Sequence, residues 1–346
     1  MDNPKISVLI PMYNRKHYIE DCINSALNQT FTDFEIIIRD NCSTDGSFEF
    51  VAEKFADQIA DGKIRLIKNK RNVYLEGSSN RMMIDARGKY ITFLHSDDML
   101  MPYALQHLYG VAEATNADVV HESGFFTAPE DVSDKSKWQI FCTENKPVQE
   151  LSLISDNPLI RFQDWFFFGT FHDVQYNLLR KDFMLENEIF FKYDYRFAAL
   201  WWIMLAKVFV KTPVICYIRR DAPDAGSKTL KLNKIADMIS MFIKMSRETD
   251  ELFSKVELFQ NDETIQYMVK ARLLDTMLGF FVNHAGYYKN GISPELLHEV
   301  TQVFKQNFGD NYFVPMYLFN WQCAIAANRN PDLVVIPPPA PAPDNT

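Results

Sequence analysis

The chain has 346 residues, of which 47% are hydrophobic and 23% charged, and its formal net charge is −9. This composition is that of a globular protein, long enough for one large or two ordinary domains. The acidic balance argues against a general nucleic-acid binder, which needs a basic surface. Five scattered cysteines without zinc-ligand spacing indicate reduced thiols.

Short apolar runs alternate with amphipathic stretches along the first third of the chain. They predict strands at 7–11, 34–38, 64–67 and 90–94, and helices at 16–28, 47–59, 80–86 and 102–113. Asn14 is expected to cap the first helix, and Gly88 to close the third. Strands that alternate with helices favour a mostly parallel, Rossmann-like α/β sheet flanked by helices.

The later part of the chain predicts fewer strands. Strands are expected at 117–120 and 214–218, a polar loop at 128–137, and a helix at 192–207. From 233 to about 308 the apolar spacing is helical throughout. The amino terminus shows no signal-peptide pattern, and the longest apolar run is too short to span a bilayer. We expect a cytoplasmic protein, with peripheral contact at the inner face of the membrane left open.

Carboxylates follow two of the predicted strands. Asp40 comes after the second strand, and the tetrad His95-Ser96-Asp97-Asp98 follows the fourth. The carboxyl ends of parallel strands form the ligand-binding edge of such sheets, so these side chains should face one crevice. Adjacent aspartates repel each other unless something positive lies between them. A divalent cation holding a diphosphate meets that need, and a simple helix cap is the alternative.

A basic stretch lies between residues 63 and 89 and contains few acids. Its cationic residues are Lys63, Arg65, Lys68, Lys70, Arg71, Arg81, Arg87 and Lys89. Two interpretations stay open for this stretch. It is either a solvated face or a surface that attracts an anionic donor or a membrane.

Three segments resemble family 2 glycosyltransferases of GT-A fold, in the same order and at similar separations. They are SVLIPMYNR (7–15), FEIIIRDNCSTDGS (34–47) and ARGKYITFLHSDD (86–98). The resemblance implies transfer of a sugar from a nucleotide diphosphate donor, commonly a UDP-sugar, to a hydroxyl acceptor with inversion. It also implies Mn²⁺ or Mg²⁺. The acceptor would be a glycan, a lipid-linked sugar or a protein.

The resemblance assigns roles to the matching residues. Pro11 and Tyr13 would line the base, Asp40 would hydrogen-bond it, and Asp97 would bind the metal. The other residues expected on the donor side are Arg15, Asn72, Asn80, Arg81, Ser96 and Arg220. His95 stands where the family usually has the leading Asp of its Asp-x-Asp motif. A metal site of His95, Asp97 and Asp98 should therefore bind more weakly or prefer Mn²⁺.

The expected general base is missing. The family usually carries a Glu-Asp pair before a Trp-containing helix, and here Ala199 and Leu200 stand in its place. An inverting transfer needs a proton acceptor within reach of the acceptor hydroxyl. Three explanations stay open. Asp194 or Asp173 could serve as the base in place of the missing pair, or Ala199 could be an inactivating substitution. In the third, the chain binds a donor without turnover. In the last case it would serve as a binding or scaffold protein.

The chain is expected to divide into four parts. We expect a nucleotide-sugar-binding half at 1–110, an acceptor-binding half of the same domain at 111–230, and a helical region at 231–330. The Pro-rich tail at 331–346 is expected to be disordered. Aromatic density at 162–171 and the helical region would both suit a homodimer, which stays open.

Overall fold

The computed structural model describes residues 3–142, 150–153, 157, 159–163, 174–192, 195–223, 235–285 and 293–328. The chain divides into two compact units, Met1–Ala225 and Gly226–Thr346. The expected boundary at 230/231 stays a prediction. The predicted tail at 331–346 lies outside the described residues.

The strands of the first unit form two sheets. They are β1 (Ile6–Met12), β2 (Phe34–Asp40), β3 (Ile64–Lys68), β4 (Tyr90–Phe93), β5 (Met99–Leu100), β6 (Val119–Glu122), β7 (Gly124–Ala128), β8 (Gln139–Cys142), β9 (Ser152–Leu153), β10 (Asn177–Arg180), β11 (Phe209–Thr212) and β12 (Tyr217–Arg220). The larger sheet has the order β3-β2-β1-β4-β10-β6-β11-β9, and the smaller one has the order β5-β12-β7-β8.

Helices cover the sheet of the first unit. They are α1 (Ile19–Leu27), α2 (Ser47–Lys54), α3 (Ala56–Ala60), α4 (Tyr74–Asp85), α5 (Ala104–Thr115), and two further helices at Lys181–Glu186 and Tyr195–Leu205. The predicted helix at 47–59 is broken at Phe55 into α2 and α3. The predicted helix at 80–86 begins earlier, at Tyr74. The strand predicted at 214–218 lies later in the chain, as β12.

The parallel half of the sheet confirms the predicted α/β fold. Strands β3, β2, β1 and β4 run parallel, with Met12 of β1 paired to Asp40 of β2 and Asp40 paired to Lys68 of β3. Every residue of β1 and β2 is buried, because helices lie on both faces of the sheet. Beyond β4 the sheet is mixed, since β10 runs antiparallel to both β4 and β6. Strands β5, β7, β8, β9 and β11 were not predicted.

Gly88 has a different role from the one predicted. The helix before it ends at Asp85, with Ala86 in an extended conformation at its carboxyl-terminal cap. A Cβ atom on Gly88 would lie 2.5 Å from the backbone nitrogen of Ser7 and 2.7 Å from the carbonyl carbon of Ile6. The glycine therefore permits the close approach of this segment to β1 rather than closing a helix.

The second unit confirms the predicted helical region. Its described helices are Ile235–Lys255, Glu257–Gln260, Glu263–Ala285, Pro294–Phe308 and Phe313–Asn328. Phe281, Phe304 and Phe319 are completely buried in it. The Ser293 hydroxyl accepts a hydrogen bond from the Leu296 N–H at 3.1 Å and caps its helix. Among the described helices of the whole chain, none combines the length and apolar character that a membrane crossing demands.

Candidate active site

The loops that follow β1 and β2 are tied together. The backbone N–H groups of Asn14 and Arg15 donate to the hydroxyls of Ser43 (2.9 Å) and Ser47 (2.9 Å). Asn14 does not cap α1 as predicted, because its side-chain oxygen accepts from the Thr44 N–H at 2.8 Å. Asn14 adopts a left-handed conformation with φ of 51°. These contacts fix the rim from which Tyr13 and Asp40 emerge.

Asp40 presents a buried carboxylate oxygen to this rim. Its side chain is fully buried, and its Oδ2 accepts a hydrogen bond from the Ser43 N–H at 3.1 Å. Its Oδ1 has no hydrogen-bond partner among the described residues. Leaving a buried acceptor unpaired costs free energy, so this oxygen is a place for a donor group on a ligand.

Tyr13 and Pro11 lie beside Asp40 at the end of β1. Pro11 is buried in the strand and pairs with Arg39, whereas Tyr13 follows the strand and is 44% exposed. Because Met12 pairs with Asp40, the ring of Tyr13 leaves the sheet at the same edge. An exposed aromatic ring there offers a flat face for stacking.

The segment after β4 brings three metal-ligand side chains together. One ligand atom from each of His95, Asp97 and Asp98 lies within 4.8 Å of the other two. The side chains of His95 and Asp97 are 28% and 14% exposed, so solvent and ligands reach them. Arg15 Nε lies 3.5 Å from Asp97 Oδ2. An imidazole with carboxylates is a donor set that suits Mn²⁺, so these residues fit the implied cation.

Asp98 is held by protein groups instead of facing solvent. Its Oδ2 accepts from the Tyr217 hydroxyl at 2.8 Å, and its Oδ1 accepts from the Arg220 N–H at 2.8 Å. The His95 N–H donates to the same Tyr217 hydroxyl at 3.1 Å. Burial, and then the negative charge of Asp97, raises the pKa of the Asp98 carboxyl to about 8. Asp98 therefore positions the tetrad.

Arg220 supports the tetrad from behind. Its guanidinium donates to the backbone oxygens of Asp97 (3.0 Å) and Glu130 (3.1 Å), and pairs with Asp21 at 2.7 Å. Its side chain is 5% exposed. Contact between Arg220 and a diphosphate stays a prediction. Sequence reasoning missed Tyr217 and Asp21, because neither belongs to a motif.

The remaining donor-side residues bond to different parts of the first unit. The side-chain oxygen of Asn72 accepts from Asn41 at 2.7 Å, which places Asn72 next to the β2 rim. Asn80 exchanges two hydrogen bonds, of 2.7 and 2.8 Å, with the backbone of Phe191. Arg81 donates to the side chain of Asn69 at 3.3 Å, on the β3 side. Ser96 is buried within the tetrad segment.

The position of the missing general base is apolar and inaccessible. Ala199 and Leu200 lie in the helix Tyr195–Leu205, and both are completely buried. The two carboxylates that the sequence offered in their place, Asp173 and Asp194, lie outside the described residues.

Comparison with known proteins assigns the family. The model of glycosyl transferase family 2 matches residues 7–179, half of the chain, and the chain belongs to that family. GlyG, a glycosyltransferase of Streptococcus pneumoniae, is 28% identical over 251 residues, which cover 69% of this chain and 78% of GlyG. EpsJ of Bacillus subtilis, an uncharacterized glycosyltransferase, is 38% identical over 128 residues, covering 37% of this chain and 36% of EpsJ.

A solved structure of similar fold supports the architecture. Residues 1–349 of S. aureus TarS, crystallised with UDP-GlcNAc, align with a TM-score of 0.62 at 15% identity. The alignment covers 94% of this chain and 92% of the TarS chain. The likeness confirms the GT-A fold. The protein is a glycosyltransferase of family 2, and the role of Asp97 as a metal ligand stays a prediction.

Proposed function

We propose that this protein transfers a sugar from a UDP-sugar to a hydroxyl acceptor, with inversion and with the help of Mn²⁺ or Mg²⁺. One observation carries the proposal. Three features lie at the carboxyl ends of parallel strands, at one edge of the sheet. They are the buried Asp40 oxygen without a hydrogen-bond partner among the described residues, the exposed ring of Tyr13, and the group of His95, Asp97 and Asp98. That edge is the ligand-binding side of such a sheet.

Asp40 supports uracil as the base of the donor. The imide N–H of uracil is a donor that Asp40 Oδ1 can accept, while Tyr13 stacks on the ring. Cytosine has an acceptor at the same ring position and would leave Asp40 unpaired. The TarS chain of similar fold was crystallised with UDP-GlcNAc, which agrees with a uridine donor.

Asp97 and His95 would hold the cation, with Asp98 fixing their geometry. When bound, a divalent cation neutralises the negative charge that develops on a departing diphosphate. Arg15 lies close enough to Asp97 to contribute positive charge at the same place. The residues around Asp98 keep the tetrad rigid, because Tyr217 and Arg220 hold both of its oxygens.

The donor proposal is tested by calorimetric titration with UDP, with and without Mn²⁺. We expect cation-dependent binding that prefers UDP to CDP. Asp97→Ala should weaken the cation-dependent binding at least about 100-fold, because a ligand that touches the ion is lost. The matched control is Asp134→Asn, which removes a carboxylate of the polar segment before β8. Equal UDP affinity with and without cation in the wild type would refute metal assistance.

Turnover is tested separately, by UDP release from a panel of UDP-sugars with glycan, lipid-linked and protein acceptors. We propose Asp194 or Asp173 as the base, so Asp194→Asn or Asp173→Asn should abolish release while UDP binding stays. The anomeric configuration of the product, read by NMR, tests inversion. Retention of configuration would contradict the proposed mechanism.

A second candidate function is donor binding without transfer, in a scaffold role. The observation that favours it is that Ala199 and Leu200, both apolar and completely buried, offer no proton acceptor at the family's base position. UDP binding, with no UDP release from any donor in the panel, would favour this candidate.

The four described cysteines, Cys22, Cys42, Cys216 and Cys323, are free, and we propose a reducing, cytoplasmic compartment on that ground.

A further inference from the structure

A cavity of about 470 Å³ lies at the ends of β2 and β3. Its lining is almost entirely cationic and, among the described residues, contains no carboxylate. The lining residues are Arg39, Lys68, Asn69, Lys70, Arg71 and Arg81. Such a concentration of positive charge is unexpected in a chain whose net charge is −9. It attracts anions, because like charges that line a cleft add to one potential.

Three of these charges have no ion-pair partner among the described residues. Arg39 pairs with Asp85, and Lys68 pairs with Glu49 at 2.9 Å, so those two cations are largely neutralised. Lys70, Arg71 and Arg81 make no ion pair with any residue that the structure describes, and all three are exposed. An anion with two or more negative charges would satisfy them.

Arg39 supplies a buried donor to the same cavity. Its side chain is 9% exposed, and its Nη1 donates to the side-chain oxygen of Asn69 at 3.1 Å. Its Nε is buried and has no partner among the described residues. A guanidinium N–H without an acceptor is costly when buried, so an oxyanion that binds beside Arg39 would supply the missing acceptor. Cavity charge and the unpaired donor are independent observations that indicate the same ligand.

We propose that this cavity binds a phosphate group, either free or as the monoester of a larger molecule, at a site separate from that of the donor diphosphate. The cavity lies at the ends of β2 and β3 and the tetrad follows β4, so the two sites are two to three strand spacings of about 4.8 Å apart, roughly 10–14 Å. The proposal goes beyond the transferase activity and does not depend on it. Planar guanidinium groups match the oxygens of a phosphate in pairs.

The site is connected to the donor rim through Asn69. Arg39 and Arg81 both donate to its side-chain oxygen, and its amide donates to Asn41 at 3.2 Å. Its backbone N–H donates to the carbonyl of Asp40 at 2.8 Å. A phosphate that holds the two arginines in place therefore stabilises the segment that carries Asp40.

The experiment measures inorganic phosphate binding to the full chain by calorimetry at low salt. The test variant is Lys70→Gln/Arg71→Gln, which removes two exposed charges that pair with nothing described. We expect the dissociation constant of phosphate to rise at least about tenfold, since each charge near an anion contributes a factor of roughly five in water. The matched control is Lys5→Gln/Lys207→Gln, two exposed lysines outside the cavity, with unchanged phosphate affinity.

Two further measurements keep the result unambiguous. Phosphate should raise the melting temperature of the wild type by mass action, and not that of the cavity variant, whose own melting temperature reports its folding. Methyl phosphate identifies the source. Binding within a few-fold of inorganic phosphate supports a phosphomonoester on a larger molecule, and much weaker binding supports the free ion.

The outcome is separable from the donor proposal. Asp97→Ala should leave phosphate binding intact, and the cavity variant should leave cation-dependent UDP binding intact. No phosphate binding by the folded wild type, or equal binding by the cavity variant and the control, would overturn the anion site. Loss of UDP binding in the cavity variant would show instead that the cavity belongs to the donor.

Discussion

Two regions of the first unit differ in the exposure and hydrogen bonding of their polar groups. At the donor rim, Tyr13 and Asp97 are partly exposed, and the buried Asp40 has one oxygen without a hydrogen-bond partner among the described residues. In the half built on β6, β10 and β11, the polar groups are buried and bonded. His121 Nδ1 lies 2.9 Å from the side-chain oxygen of Asn177 there. The first arrangement can bind a ligand, whereas the second stabilises the fold.

The protonation states of the second region follow the same logic. Burial lowers the pKa of His121 to about 3 and raises that of Glu122 to about 8, so both are neutral near pH 7. Glu122 Oε2 accepts from the Cys216 N–H at 2.7 Å and joins β6 to the segment before β12. A titratable residue therefore indicates function only when a ligand can reach it.

The largest effect is expected where the comparison can be broken. Leu200→Asp restores the acid of the family's Glu-Asp pair, but it does so in a completely buried position. We expect a loss of about 4 kcal/mol in the free energy of unfolding and no gain in UDP release. Urea unfolding measures the loss, and Leu151→Asp, at a position 54% exposed, is the control. A stable variant with faster UDP release would show that position 200 reaches the acceptor.

A smaller effect is expected from the buried carboxyl of the second region. The folded protein keeps a proton on Glu122 up to about pH 8, and the unfolded chain releases it near pH 4.5. Stability from this proton is therefore fully present below pH 4.5 and is lost as the pH rises through 8. Glu122→Gln should remove about 3 kcal/mol of the difference in unfolding free energy between about pH 5 and about pH 8.

The control for this pH effect is Glu113, whose contribution to stability changes with pH in the opposite direction. A hydrogen bond from Lys89 lowers the pKa of the exposed Glu113, so its contribution is lost as the pH falls. Glu113→Gln should leave the decline in stability toward alkaline pH in place. An unchanged slope in Glu122→Gln would contradict the assignment of a neutral Glu122.

Backbone packing at the amino ends of β1 and β4, the sheet edge opposite the donor rim, sharpens the comparison further. Gly88→Ala places a methyl group against the backbone of Ile6 and Ser7, and we expect a loss of about 2 kcal/mol in unfolding free energy. The control is Gly110→Ala in α5, where nothing lies within 4 Å of the new Cβ. That change should raise stability by about 0.5–1 kcal/mol. Thermal unfolding of the pair separates a clash from helix propensity.

The smallest effect is expected at Asp40, the residue proposed to bind the uracil base of the donor. Asp40→Asn should weaken UDP binding about tenfold and reduce the preference for UDP over CDP, since one charged acceptor is lost. Asp61→Asn, at an exposed position after α3, serves as the control. Titration calorimetry with both nucleotides measures the two constants. A lower melting temperature with unchanged UDP affinity would make Asp40 a structural residue.

The sequence by itself determined the parallel half of the sheet and the residues at its edge. Apolar runs of strand length alternate with helical spacing, and polar residues follow each run, so β1 to β4 and the positions of Asp40 and Asp97 could be predicted. These are local properties of neighbouring residues. The later strands were harder, because β11 pairs with β6 and β7 pairs with β12, and each of these pairings joins segments far apart in the chain.

Only the tertiary structure decided which of two adjacent aspartates a ligand can reach. Asp97 stays partly exposed, whereas Asp98 is taken up by Tyr217, 119 residues away, and by the Arg220 N–H. The same folding turned Arg220 toward backbone oxygens and joined Arg39 to Asn69 around a basic cavity. Spacing along the chain cannot carry this information, because hydrogen bonds between distant segments form only after the strands between them have packed.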